Sequence, residues 1–172
     1  MNPLVTELYQ RTVLDHNKSP RRYGEVLGAS HRSLGRNPIC GDVVQVFLII
    51  EDEKVKDIGF SAQSCALCKA SASIMCELLF GRSSEEAQEL VVSFGSMIST
   101  GEITIESDAK SLSIVKNFPA RAKCVMLPWQ TFSGALRRQE DVTTESRIAA
   151  SEVQNLEFQP SNIKYQLEPA KA

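Results

Sequence analysis

The sequence lacks most of the signals that would place it in a large functional class. No glycine-rich phosphate loop follows either of its two clearest strand patterns, at 43–50 and 55–62, so a nucleotide-binding fold has no support. No apolar run approaches the roughly 18 residues that a membrane span needs. Charge of neither sign dominates: 19 Lys and Arg face 21 Asp and Glu, net -2, which excludes a global pull toward nucleic acid or an anionic membrane. The first residues have no signal-peptide character, because Glu7 and Gln10 interrupt any apolar stretch, and a cytoplasmic location is the expectation. Histidine is scarce, with only His16 and His31, and neither belongs to a local cysteine–histidine protease signature.

What remains is 172 residues, 42% of them hydrophobic, enough for one domain with a real core. Five cysteines are present, an odd number in a chain too large to need disulfide staples. Reduced thiols are therefore expected. Each is a buried filler, a metal ligand or a reactive group.

Along the chain, residues 3–17 read as a first helix, with Pro3 in its first turn and Val5, Tyr9, Val13 and Leu14 on an apolar side. The segment 17–23 carries Lys18, Pro20, Arg21 and Arg22 and reads as an exposed turn, more a solvated face than a partner patch. A short edge strand fits at 29–34. Residues 43–50 and 55–62 form two strands, and the short acidic link between them makes the pair antiparallel. A helix rich in small residues follows over 65–80, ended by Gly81. Ser83 or Ser84 caps a third helix to about Phe94, with Glu86 as a capping-box partner of Ser83. Short helical turns are expected over 95–119. The last helix covers 121–138. Because Pro128 fits only a first turn, its regular part should begin near Met126 or Leu127.

The chemistry concentrates in the stretch 37–42, Asn37-Pro38-Ile39-Cys40-Gly41-Asp42, a turn that holds a thiol and a carboxylate two residues apart. In an antiparallel pair the start of the first strand and the end of the second share an edge, which brings Cys65 near Cys40 and Asp42. Cys124, placed at a helix N-terminus, completes the set. Three soft thiolates and a carboxylate suit tetrahedral zinc, and helix dipoles at Cys65 and Cys124 would favour thiolates. The site binds a metal, carries sulfur, or does both. The plainer alternative is three unrelated buried thiols and an aspartate that caps its own turn. Cys68 lies three residues from Cys65 on the same helix face, a Cys-x-x-Cys spacing that is a weak signal alone. Cys76 is eleven residues from Cys65, about 16 Å along a helix, and reads as core. His31 is a conceivable ligand, with a surface histidine the plainer reading.

These residues carry a resemblance. Leu8-Tyr9, Asp15-His16, Lys18-Ser19-Pro20-Arg21, the 37–42 stretch, Ala70-Ser71-Ala72-Ser73 after Cys65, Phe118-Pro119-Ala120-Arg121-Ala122-Lys123-Cys124 and Leu127-Pro128-Trp129 resemble the scaffold and sulfur-acceptor family of iron–sulfur cluster biogenesis. That group includes the NifU N-terminal domain, IscU and SufU. The likeness covers roughly 5–138 and follows the SufU branch, with Lys123 where scaffolds usually have histidine. It implies an α+β fold of the IscU/SufE type, with a small antiparallel sheet of about three strands packed against helices. It implies one domain over 1–139, with a C-terminal extension over 140–172, disordered or docked as an extended arm.

By position, the resemblance makes Cys40, Asp42, Cys65 and Cys124 zinc ligands. Cys40 is also the thiol that accepts persulfide sulfur from a pyridoxal-phosphate cysteine desulfurase of the SufS type. A histidine of the desulfurase would replace Cys40 on the zinc, and the sulfur would pass to downstream cluster-assembly proteins. No nucleic acid and no membrane are implied. One rival is a scaffold that assembles a [2Fe–2S] cluster on Cys40, Cys65 and Cys124, with Asp42 keeping it labile; Lys123 argues against it, and Cys68 slightly for it. The other is a structural zinc module. The chain departs from the SufU pattern at Ser64, usually glycine, at Cys68, usually serine, and in its longer tail.

Overall fold

The computed structural model describes residues 3–145. The elements are α1 (Pro3–Lys18), β1 (His31–Asn37), β2 (Asp42–Glu51), β3 (Lys54–Gln63), α2 (Ala66–Leu79), α3 (Ser84–Thr100), a 3-10 helix (Asp108–Asn117), α4 (Pro119–Leu136) and β4 (Asp141–Thr143). The class is α+β. Among the described residues no helix is long and apolar enough to cross a membrane.

β2 follows from its β-branched run. Alternation buries Val44, Val46 and Leu48 on one face and leaves Val43 and Gln45 partly exposed on the other. β3 returns beside it, antiparallel, with Val43 opposite Gln63. The two are joined through Asp52 and Glu53, both at positive φ (49° and 58°), the backbone that a two-residue hairpin turn requires. β1 pairs antiparallel with the other side of β2, Asn37 opposite Asp42. The strand expected at 29–34 thus starts later and runs on to Asn37, because its partner extends to the turn.

The sheet is four-stranded and mixed, in the order β3-β2-β1-β4. About three antiparallel strands were expected. The fourth, β4, lies parallel to β1, with Leu34 opposite Asp141. Three residues leave no periodic pattern, and only the return of the chain after α4 places them there. At the opposite edge, Tyr23 bridges to Phe60 and covers the outer side of β3.

α4 lies across β1 and β2, and α2 packs between α1 and α4. The approach of α4 to the sheet is so close that side chains are excluded at two points. A Cβ on Gly35 would collide with the Thr131 hydroxyl, and one on Gly134 would press on Val142 and Ser33. Trp129 stacks on Phe94 with ring centroids 3.9 Å apart and donates Nε1–H to Ser71 Oγ at 3.0 Å.

α4 corrects one expectation. It begins at Pro119 and runs straight through Pro128, rather than starting beside it. An interior proline costs about 3 kcal/mol. Full burial of Leu127, Trp129 and Phe132, at about 1.5–3 kcal/mol for a large apolar side chain, more than offsets it. α3 also runs past Phe94 to Thr100, where Gly101 ends it in the left-handed conformation (φ 79°). At its start the expected capping box is complete: Ser83 Oγ accepts from Glu86 N–H at 3.1 Å and Glu86 Oε2 from Ser83 N–H at 2.9 Å.

Both histidines are buried, so the expectation of a surface histidine fails. His31 stands at the far end of β1 from Asn37, its Nδ1 2.8 Å from Ser30 Oγ. Burial, with Arg138 nearby, pulls its pKa below the usual value. The basic residues after α1 are engaged at home. Arg21 reaches Asp15 at 2.6 Å, and Arg22 reaches Asp57 at 2.9 Å with its guanidinium over Phe80.

Candidate metal and sulfur site

Three elements converge at one edge of the sheet. Cys40 sits in the four-residue link between β1 and β2, at a hairpin tip whose next residue, Gly41, has φ 71°. That left-handed conformation is open to glycine and strained for other residues. Cys40 is exposed. Asp42 opens β2, buried, and faces the helices. Cys65 follows the end of β3 as the N-cap of α2, so its thiol sits where the first helical N–H groups point outward. Cys124 comes from α4 and is buried.

The Asp42 carboxylate ties the loops together. Its Oδ1 accepts the Cys65 N–H at 2.7 Å, and its Oδ2 lies 3.6 Å from Cys65 Sγ. Cys124 Sγ lies 3.2 Å from Cys40 Sγ. One ligand atom each from Cys40, Asp42 and Cys124 fall within 4.8 Å of one another. That spread and that chemistry fit a tetrahedral ion with bonds of about 2.0–2.3 Å. Cys65 stands at the edge of this triad, in contact with Asp42. The structure therefore brings all four expected residues to one place, three of them in a compact group capable of metal ligation.

The electrostatics single out two thiols. The Cys124 thiol hydrogen-bonds to Cys65 and draws the Cys65 pKa down to about 7, with backbone N–H groups of Cys68 and Leu67 helping. Cys124 moves the other way. It is the donor to Cys65 and is partly desolvated, so it keeps its proton. The helix-dipole argument for Cys124 fails. It is the sixth residue of α4, beyond the first turn in which the dipole acts. For Cys65 the argument holds.

Cys68 and Cys76 are fully buried, and burial pushes both thiols up. Cys76 is core, as its spacing implied. His31 and His16 take no part in the cluster. Lys123, the residue before Cys124, is turned to an ion pair with Glu145 at 2.7 Å.

One neighbour escaped the sequence reading as anything but a turn residue. Asn37, buried at the end of β1, donates from Nδ2 to Cys124 Sγ at 3.5 Å, and its Oδ1 has no partner among the described residues. Its signal was present, since Asn37 opens the 37–42 stretch, but only the β1–β2 register turns it inward.

Comparison with known proteins places the chain in a family. The family model for the NifU-like N terminal domain matches residues 8–126. The iron-sulfur cluster assembly scaffold protein IscU of Streptococcus pyogenes serotype M1 is 34% identical over 137 residues, covering 78% of this chain and 86% of that one. The zinc-dependent sulfurtransferase SufU of Bacillus subtilis is 32% identical over 142 residues, covering 81% and 96%. A solved structure of a putative SUF-system scaffold protein from Fervidobacterium islandicum superposes with a TM-score of 0.68 at 30% identity, covering 75% and 96%. The chain belongs to the NifU-like N-terminal domain family, the family of the IscU and SufU proteins of iron–sulfur cluster assembly.

Proposed function

We propose that this chain is a zinc-dependent sulfur acceptor. It takes persulfide sulfur on Cys40 from a pyridoxal-phosphate cysteine desulfurase and passes it to iron–sulfur cluster assembly. Cys40, Asp42, Cys65 and Cys124 hold the metal. The observation that carries this reading is an asymmetry. Cys40 is exposed at a hairpin tip, while Asp42 and Cys124 are 1% and 3% exposed. Cys65 is exposed as well, at the N-cap of α2, but Cys40 sits on a hairpin tip, where a partner can reach its thiol without dismantling the buried Asp42 and Cys124.

Zinc bound there keeps thiolates deprotonated and unreactive until a ligand is exchanged. The chain's own residues do the remainder. Asp42 is fixed through Oδ1 by the Cys65 N–H and presents Oδ2. Asn37 holds Cys124 in orientation. Gly41 lets the Cys40 tip turn outward. Attack by the Cys40 thiolate on the terminal sulfur of the desulfurase persulfide breaks that S–S bond, leaves sulfane sulfur on Cys40 and returns the desulfurase thiolate.

The [2Fe–2S] scaffold is the second reading, and the IscU relatives favour it. Against it, position 123 supplies no ligand here: it is lysine, and its ammonium is paired with Glu145. Protein purified without oxygen decides between them. One zinc per chain with no acid-labile sulfide, together with stimulation of a cysteine desulfurase that Cys40→Ala abolishes, is the expected result. Iron and sulfide in equal amounts would overturn it in favour of the scaffold. Zinc without desulfurase stimulation would leave a structural zinc module.

A further inference from the structure

The sheet edge that carries the thiols is also where the C-terminal extension leaves the domain. The Thr144 N–H donates to Arg36 O at 3.1 Å, so the chain after β4 follows β1 toward the 37–42 hairpin. Glu145 then pairs with Lys123 at 2.7 Å, one residue before Cys124. Its Oε1 also accepts the Thr144 hydroxyl at 3.3 Å, and its N–H donates to Thr143 Oγ1 at 3.3 Å. The first residues of the extension are thus pinned to the domain and deliver the chain to the cluster. The remainder, 146–172, lies outside the described residues. Apolar side chains stand uncovered on both flanks of this edge. Ile39 on the hairpin tip is 61% exposed and Phe118, the N-cap of α4, is 42% exposed, with Pro38 and Pro119 exposed beside them. The two flanks meet at the cluster, where Cys40 Sγ lies 3.2 Å from Cys124 Sγ.

We propose that residues 146–158 dock across this edge, against Ile39 and Phe118, and cover Cys40. Reach is not limiting. Ile39 follows Arg36 by three residues, roughly 11 Å of extended chain, and Phe118 precedes Lys123 by five, roughly 7.5 Å of helix axis. The segment brings matching apolar groups in Ile148, Val153, Leu156 and Phe158. It contains neither cysteine nor histidine, so what it offers the edge is apolar cover and not a soft metal ligand. A short tether holds such a segment at an effective concentration on the order of millimolar, which favours it over a free chain for the same surface. The other uncovered large side chains, Leu14 on α1 and Leu27 before β1, belong to elements that Glu145 does not touch. A partner that reaches Cys40 must displace the segment. That consequence rests on the sulfur-acceptor reading, whereas the docking itself does not.

The test is amide hydrogen exchange, read by mass spectrometry on the full-length protein as purified and on full-length variants. In the parent, peptides over 146–158 should be protected. Leu156→Ser with Phe158→Ser removes two anchors, and loss of even one large buried side chain should speed their exchange by about tenfold or more. Peptides over 37–41 and 118–121 should also exchange faster in that variant, while those over 10–18 and 24–30 stay as they are and the melting temperature holds. Ile39→Ser, at an exposed hairpin tip, should release 146–158 in the same way, and it serves where Phe118→Ser fails to fold. Unprotected exchange over 146–158 in the parent would overturn the proposal, as would a change confined to 10–18 or 24–30. Protection that falls on dilution would give the surface to a second copy of the chain and overturn it as well. The expected pattern in a protein that stimulates no desulfurase supports the docking and refutes only the acceptor reading.

Discussion

Two clusters in this protein look alike on paper and behave differently. At one edge of the sheet, Cys40, Asp42, Cys65 and Cys124 gather from positions up to 84 residues apart. Between α1, α2 and the 3-10 helix, His16, Ser73 and Asp108 gather across as many as 92. The second is a serine–histidine–aspartate constellation, a set that elsewhere performs nucleophilic catalysis. Here every member is satisfied. Ser73 Oγ accepts the Arg21 N–H at 2.8 Å and is hydrogen-bonded to His16 Nδ1 at 2.8 Å. On its other side the ring is held by Asp108 Oδ2, 3.2 Å from Nε2. His16 and Ser73 are fully buried, so no substrate can reach the hydroxyl. The thiol cluster has the opposite character: an exposed thiol on a hairpin tip beside a buried carboxylate and two further thiols, one of them open to solvent. Reactivity follows from what is left unsatisfied and reachable, not from which residue types meet.

The sharpest way to break this comparison is to truncate one nucleophile in each cluster. Cys40→Ala should reduce persulfide acceptance to background while the melting temperature stays near that of the parent, since the side chain is exposed and packs against little. His16→Ala should do the reverse. It removes a buried ring and two hydrogen bonds that pin α1 to α2 and the 3-10 helix, at a cost of about 3 kcal/mol in chemical denaturation. Sulfur acceptance per folded molecule should be unchanged. Loss of acceptance in a folded His16→Ala protein would show the two clusters to be one machine.

The contact that carries α4, and with it Cys124, onto the sheet is tested by Gly35→Ala. The new methyl meets the Thr131 hydroxyl, and overpacking of this kind costs about 1–3 kcal/mol. Metal retention should fall with it, because Cys124 rides on the displaced helix. A variant of parental stability would mean that α4 sits more loosely than its distance to β1 implies.

A subtler change sharpens the site itself. Asn37→Ala removes the donor to Cys124 Sγ without touching a ligand. Outer-shell partners of this kind alter metal affinity by about 10–100-fold. Competition with a chromophoric chelator should show a loss in that range in a protein that remains folded. An unchanged affinity would assign Asn37 to the hairpin alone.

These outcomes bear on what the residues announced in advance. The β2–β3 hairpin was legible because apolar alternation and a short acidic link are local signals. The gathering of Cys40, Asp42 and Cys65 at one edge was legible because Cys40 and Asp42 share one turn and strand pairing delivers Cys65 to the same edge. What stayed hidden is tertiary. The buried place of His16 left no local signal, because its partners lie 57 and 92 residues away. β4 is too short for a pattern. Pro128 pointed to a helix start near residue 126, since propensity argues from the backbone alone, whereas burial of Leu127, Trp129 and Phe132 carries the helix through it. That single error also moved Cys124 to a helix N-terminus it does not occupy.

The smallest effect is the response of His31 to pH. His31 is partly desolvated, with Arg138 near, and its pKa is lowered from 6.5. The folded state thus holds the neutral ring more firmly than the unfolded chain does. The stability this contributes is complete above pH 6.5 and is lost as pH falls from there through the lower folded value. Groups that face it are Arg138, which opposes a second positive charge, and Ser30, whose hydroxyl accepts or donates with either ring form. Urea midpoints measured from pH 7.5 down to 5 should decline, and His31→Gln, which cannot charge, should flatten the part of that slope due to this residue. An equal decline in the His31 variant would place the acid sensitivity elsewhere.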